Sequence, residues 1–223
     1  MDIDFNYFKI RMGLLKNKIF RNISFADYIT FKQKVSNLIL LFNLFSYQKF
    51  FNKYCKHSGD NLLIYKPLSL KGLKYMSIGN NFKLGYFSKL EAWDIHNKNH
   101  FRPEVIIGDN VSFGNNCHIG IINYLEIQSN VLIGSNVLII DHNHGIYDGS
   151  DIHIYPNERI LYSKGPIIIK ENVWIGENVS ILPGVTIGRN SIIAAGSVVT
   201  KNVPDNTIFA GNPAKIIKSL KME

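Results

Sequence analysis

From Ile169 onward an aliphatic residue returns at every sixth position: Ile169, Ile175, Ile181, Ile187, Ile193 and Val199, without a slip. Between them the chain reads IKENVW, IGENVS, ILPGVT, IGRNSI and IAAGSV, one aliphatic residue, then small or turn-forming residues, then usually a second β-branched one. The same beat runs upstream through Ile121, Ile127, Ile133 and Ile139, through Ile107, Phe113 and Ile119, and more weakly through Ile78, Leu84 and Leu90. Six is not a helical period, and a hairpin meander would not hold it so long. A six-residue unit that makes one short strand and one corner is the signature of a parallel β-helix. Three units close a triangular coil, and coils stack at about 4.8 Å, the ordinary inter-strand distance. The repeated aliphatic side chain points inward and rests on its copy one coil below, so an apolar column serves as the core. Gly and Asn occupy the corners because positive φ costs them little. The fold class is therefore all-β with an N-terminal helical segment. The period does not fix the hand of the coil.

The chain changes character near residue 60. Residues 5–57 are basic and aromatic-rich, without the later Gly punctuation, and Val35, Leu38, Ile39, Phe42, Phe45 and Phe50 recur at roughly helical spacing. Two or three helices are expected there, with Ser24 or Asp27 as a cap. Residues 1–60 thus form a helical region, 61–215 the solenoid with a loop inserted at about 140–166, and 216–223 a tail. The helical region is either a packing and oligomer-contact element or a basic amphipathic surface resting on a membrane. The apolar run Leu38–Phe45 is too short to span a bilayer. The first residues, MDIDFNYFKIRMG, have no apolar signal-peptide core. Two cysteines, Cys55 and Cys117, lie far apart in no metal-ligand spacing, so a disulfide framework is not expected and a reducing cytoplasm fits. A net charge of +8 favours an anionic partner. Nucleic acid is not expected, because no aromatic platform or recognised motif accompanies the charge.

Between Ile139 and Ile167 the beat stops, and the chain reads IDHNHGIYDGSDIHIYPNERILYSKGP. A long excursion from an otherwise minimal solenoid points to function. It carries Asp141, His142, His144, Tyr147, His153 and Tyr162. Two histidines at i and i+2 on extended chain face the same side. An alcohol is a poor nucleophile at neutral pH, and a neutral imidazole suits the task of deprotonating it. One histidine would act as general base while the other, or Asp141, fixes its tautomer. A metal site at Asp141, His142 and His144 and a merely structural polar loop are the competing readings. The other histidines, His57, His96, His100, His118 and His153, are read as structural.

The blocks SIGNNFKLG, EAWD (Glu91–Asp94), IIGDNVSFGNNCHIG, DHNHG, YSKGPIIIKENVWIGENVSILPGVTIG and AAGSVVTKNVPDNTIFAGNPAKII resemble the bacterial hexapeptide-repeat acyltransferases, the superfamily of galactoside and maltose acetyltransferases. The match runs from about Lys74 to Lys218. DHNHG and EAWD lean towards the O-acetyltransferases of O-antigen and capsule gene clusters. Residues 1–60 have no counterpart in the short acetyltransferases. The resemblance implies a left-handed parallel β-helix, a homotrimer with active sites in the clefts between subunits, and direct transfer from acetyl-CoA to a sugar, with no metal. It puts Trp174 beside the pantetheine and acetyl end, Ala195 against the pantetheine amides, and Thr200 and Lys201 at the adenosine end. Lys215 and Lys218 stand where arginines often contact the phosphates, and a lysine loses the bidentate fork. Glu177 replaces a family serine, so that contact is not carried over. His144 is in phase with the family's base, and His142 is the alternative. Asn115 sits one residue out of alignment with an asparagine that orients the acceptor.

The leading expectation is O-acetylation of a sugar in surface polysaccharide, or in its lipid-linked or nucleotide-linked precursor. N-acetylation of an amino sugar on such a carrier is the first rival. A zinc-dependent hydratase resembling the γ-carbonic anhydrases is a rival of another class, and it leaves VVTK and NPAK unexplained. A non-catalytic scaffold is disfavoured by the gap-free coenzyme block. The expected location is the cytoplasm, with peripheral contact at the inner face of the membrane through the N-terminal region.

Overall fold

The computed structural model describes residues 25–146 and 148–220. Two compact units are distinguished, Met1–Leu41 and Phe42–Glu223. The division falls inside a single 30-residue helix, Phe25–Tyr54, and not at residue 60. The reason lies in the last turns of the helix, where Phe51 is fully buried and Tyr47 and Cys55 pack against the first coils. The expected stripe is off by one residue here, for Phe50 is exposed. Gln48 fastens this end by donating to the Gly59 carbonyl at 3.0 Å and accepting from the Leu62 N–H at 2.8 Å. Asp27 lies within the helix and is not its cap. Ser24 falls outside the described residues.

The solenoid has three faces of parallel strands. The first stacks His57–Ser58, Met76–Ile78, Glu104–Ile107, Tyr124–Ile127, Ile167–Ile169 and Thr186–Ile187. The second stacks Leu63–Ile64, Lys83–Leu84, Ser112–Phe113, Leu132–Ile133, Trp174–Ile175, Ile192–Ile193 and Thr207–Gly211. The third stacks Ser69–Lys71, Lys89–Ala92, His118–Ile121, Leu138–Ile140, Ser180–Ile181 and Val198–Val199. One column of the core runs Ile64, Leu84, Phe113, Ile133, Ile175, Ile193, Phe209, each in register with the next and each buried. Each such side chain contributes about 1.5–3 kcal/mol of transfer free energy. At the corners, asparagines in the left-handed region form ladders, Asn81 to Asn110 to Asn130 at 2.8 and 2.9 Å and Asn172 to Asn190 to Asn206 at 3.2 and 2.7 Å. Asparagine adopts this conformation readily, and the ladder satisfies its amide.

The last strand, Ala214–Ser219, runs antiparallel to Thr207–Gly211. Residues 216–219 are therefore part of the sheet, and the expected boundary of a tail at 215/216 is corrected. Their backbone groups complete the ladder of the final strand.

The register also shows where the chain departs from its beat. Ile169, Ile175 and Ile181 pair with Ile187, Ile193 and Val199, a coil of three minimal units. Lower coils are longer: Ile107 pairs with Ile127, Ile78 with Ile107, and Ile127 with Ile169. In each coil the steps from first to second to third face keep the spacing of six. All the extra residues leave at the corner where the third face turns into the first.

Candidate active site

Beyond a 3₁₀ turn at Leu73–Tyr75, that corner collects three excursions. The first, after Ala92, is a hairpin in which Ile95–His96 pairs with Asn99–His100. Asn97 and Lys98 carry it through two consecutive positive φ values, the requirement of a tight two-residue turn. The second is the short link Ile122–Asn123. The third is the long loop, whose Asn143–His144 pairs antiparallel with Leu161–Tyr162. The expected loop is thus hairpin-rooted, with one short 3₁₀ turn at Pro156–Glu158. Tyr147 lies outside the described residues.

Asp141 roots the long loop. Its fully buried carboxylate accepts the backbone N–H groups of Ile122, Asn123 and Tyr124 at 2.9, 2.7 and 3.1 Å. The same carboxylate lies 3.1 Å from Nδ1 of His142, whose side chain is only 14% exposed. His144 is exposed by contrast. Gly145 follows it at φ +94°, and a Cβ there would strike the Asp151 carboxylate and Arg159. Asp151 accepts the Ile146 N–H at 3.0 Å, while Arg159 donates to the carbonyls of Ile154 and Ile152. The glycine of DHNHG is what lets the loop fold back on itself directly behind His144.

The hairpin brings His96 to His144, ring centroids 5.6 Å apart and nearly perpendicular. Trp93 also neighbours His96, ring centroids 6.1 Å apart, and Lys71 Nζ lies 3.9 Å over the Trp93 ring. Asn97 Nδ2 donates to the Asn157 carbonyl at 2.5 Å, joining hairpin to loop. Burial, with the neighbouring His144 and His142, holds the His96 imidazole below its usual pKa. Beside them Glu91, almost wholly buried, accepts Ser69 Oγ at 2.5 Å and faces His118 Nε2 at 3.6 Å. Burial and Lys89 lower the His118 pKa despite Glu91. Sequence reasoning passed over His96 and His118 as structural. The signal was present, since sixteen residues lie between Leu90 and Ile107, a break in the six-residue beat at the same corner as the long loop.

The other expected site residues lie elsewhere on the coil. Trp174, 52% exposed, projects from the second face between Leu132 and Ile192. Ala195 is exposed at the next corner, directly above Gly176. Lys215 and Lys218 are exposed on the last strand of the second face. Thr200 and Lys201 follow Val199 at the end of the third face. Asn115 is not brought to the histidines. It sits where the second face turns into the third, its Oδ1 accepting the Tyr86 N–H at 2.9 Å and its N–H donating to Ser135 Oγ at 3.2 Å. There it lines a groove of about 390 Å³ with Tyr65, Tyr86, Ser135 and Glu177. Within one protomer, then, the imidazoles and the exposed tryptophan occupy different sides of the triangle. Among the described residues no three or more His, Cys, Asp or Glu side chains are grouped to hold a metal ion, and no helix is long and apolar enough to cross a membrane.

Comparison with known proteins agrees with this architecture. Residues 166–201 match the family model for the bacterial transferase hexapeptide (six repeats), and residues 104–122 that for the hexapeptide repeat of succinyl-transferase. A protein of Escherichia coli K12 named as a lipopolysaccharide-biosynthesis O-acetyltransferase, WbbJ, is 37% identical over 161 residues, 70% of this chain and 78% of that one. The galactoside O-acetyltransferase of the same organism is 40% identical over 115 residues, 49% of this chain and 57% of that enzyme. Among solved structures, AntD, an N-acyltransferase from Bacillus cereus in complex with dTDP and 3-hydroxybutyryl-CoA, superposes with TM-score 0.62 at 25% identity, covering 75% of this chain and 85% of that one. A maltose O-acetyltransferase from Clostridium difficile 630 gives 0.52 at 28% identity, with 77% and 73% covered. The coil is a left-handed parallel β-helix of the kind these acyltransferases share.

Proposed function

The chain belongs to the bacterial hexapeptide-repeat acyltransferases, and from that premise we propose that it transfers an acetyl group from acetyl-CoA to a hydroxyl of a surface-polysaccharide sugar or its precursor. The observation that carries the reading is the contrast between the two loop histidines. His142 is covered and tied to Asp141, whereas His144 is exposed on a rooted hairpin, free to meet an acceptor. We assign His144 as the general base, and the Asp141–His142 pair as the clamp that holds its loop. His144 takes the hydroxyl proton as the acceptor oxygen bonds to the thioester carbonyl carbon. The carbon–sulfur bond then breaks, and the same proton passes from His144 to the departing thiolate.

Trp174, Ala195, Thr200, Lys201, Lys215 and Lys218 fit acetyl-CoA chemically. They offer an exposed aromatic face for the pantetheine arm and cations for the phosphates, which suits the net charge of +8. Because the imidazoles and Trp174 lie on different sides of one triangle, a second copy facing across the cleft would complete each site, and we propose a homotrimer. Asn115 belongs to the groove on the Trp174 side. We further propose that the protein works in the cytoplasm, the basic N-terminal region resting on the inner face of the membrane. An amine acceptor on a nucleotide sugar is the second reading, favoured by the likeness to AntD.

The test is thiol release from acetyl-CoA over a panel of sugars, amino sugars and oligosaccharide repeats, with His144→Ala, His142→Ala and Trp174→Ala alongside. Turnover on a hydroxyl acceptor that His144→Ala lowers by about 10²–10⁴-fold, with acetyl-CoA still bound, is the expected result. A weakened acetyl-CoA affinity in Trp174→Ala alone supports its place. Turnover confined to amino sugars selects the second reading, and no acetyl-CoA binding at all refutes both.

A further inference from the structure

Among the described residues, His96 Nδ1 is the buried side-chain nitrogen or oxygen that has no hydrogen-bond partner. Such an atom calls for an explanation, since leaving a buried polar atom unpaired costs free energy that folding must offset. Its position supplies one. The His96 ring is held from one side by Trp93, which is itself stacked under Lys71 Nζ. Its hairpin is fastened to the long loop through Asn97 and Asn157. Close by stands the exposed His144, its ring 5.6 Å away between centroids and at 80° between planes. In that arrangement one ring presents its edge to the other. His144 can turn about its own side-chain torsions, while His96 cannot move without disturbing Trp93.

We propose that His96 is a positioning residue for the base: its unpaired Nδ1 accepts a hydrogen bond from His144 once that imidazole has taken the acceptor's proton. The inference rests on the reading of His144 as base. It concerns the imidazolium and not the resting state, which accounts for an acceptor without a partner in the free protein. His96 gains and loses no proton. A hydrogen bond forms as His144 becomes charged and breaks as His144 passes the proton to the thiolate. The role requires His96 to stay neutral beside a charged neighbour. Its burial and the proximity of His144 and His142 work in that direction. The charged and titratable groups around it are those two histidines on the loop, Lys71 over Trp93, and His100, whose strand pairs with its own.

The experiment compares His96→Phe, which keeps a ring between Trp93 and His144 but no nitrogen, with His96→Gln, which keeps an acceptor. Each is made in wild type and on the His144→Ala background, and assayed on the acceptor that wild type acetylates. His96→Phe is expected to lower kcat by about ten- to a hundredfold, the worth of one hydrogen bond to a charged group. The acetyl-CoA dissociation constant stays unchanged. The acid limb of the kcat/KM profile moves to lower pH, because the imidazolium has lost its acceptor. His96→Gln recovers much of the rate, and on the His144→Ala background His96→Phe costs nothing further. Wild-type kcat with an unmoved limb in His96→Phe overturns the proposal. So does an equal loss in both variants without a shift of the limb, or a full loss repeated on the His144→Ala background. The base assignment is read separately, from His144→Ala alone.

Discussion

Replacing Asp141 by alanine removes the one acceptor shared by three consecutive backbone N–H groups, those of Ile122, Asn123 and Tyr124. The carboxylate is fully buried, so water does not reach those donors unless the corner opens. A hydrogen bond to a charged group contributes about 1.5–3 kcal/mol, and an abandoned buried donor costs about 1–3. The three donors lie side by side and relax together, so the terms do not add. A total loss of about 3–5 kcal/mol, less than the terms taken singly, is expected. For a chain of this size that corresponds to a melting point lower by roughly 10 °C. Asp141→Asn keeps one carbonyl oxygen and should lose about half as much. The assay is thermal unfolding with hydrogen exchange on peptides covering residues 120–125 and 141–146. Both segments should lose protection while residues 187–199, a regular part of the stack one coil further on, keep theirs. Melting within about 2 °C of wild type, with residues 122–124 still protected, would refute the idea that this carboxylate holds the corner.

Gly145→Ala forces a side chain into the left-handed region against Asp151, at a cost of about 1–3 kcal/mol confined to the loop. Limited proteolysis should cut the loop of this variant and activity should vanish with the coil still intact; an uncut, active variant contradicts the packing described. His96 and His118 both have folded pKa values below the unfolded value near 6.5, so the unfolded chain binds more protons just below that pH. Their contribution to stability is therefore present above about pH 6.5 and lost as the pH falls through the lower folded values, and the urea midpoint should drop between pH 7.5 and 5.5, less steeply in a His96→Gln/His118→Gln variant. An equal drop in that variant would show that these imidazoles are not responsible. Burial pushes the Cys55 thiol up to about 12 and raises that of Cys117 as well. The thiolate is the reactive form, so iodoacetamide at pH 8 should spare both in the folded protein and modify both in urea; rapid labelling of the folded chain would contradict their burial.

The solenoid was legible because its core residues recur at a fixed interval, and each Ile or Val of the 169–199 run sits in the column its spacing assigned. The site was half legible. DHNHG stood out as an interruption, but no local pattern links His96 to His144, or Glu91 to His118. Those neighbours are made by stacking, which places residues tens of positions apart over one another at a single corner. The hairpin was also disguised, since Asn97–Lys98 supplies its two positive φ values without the glycine that usually marks such a turn. The division of the chain failed for a related reason. A helix whose last turns bury Phe51 on the first coils leaves no change of composition at the boundary. The last strand was hidden because only Ala214 of Ala214–Ser219 is buried, so it carries no inward beat.

The two ends of the stack carry unlike pieces, the final turns of a helix at one and, on the second face, a reversed strand at the other. An open end of parallel coils is a row of unpaired amides and carbonyls, onto which the opposite end of another molecule could add without limit. The last strand also carries Lys215 and Lys218, charges that oppose edge-to-edge addition. A reversed edge strand bearing two charges therefore disfavours end-to-end stacking of copies on the second face.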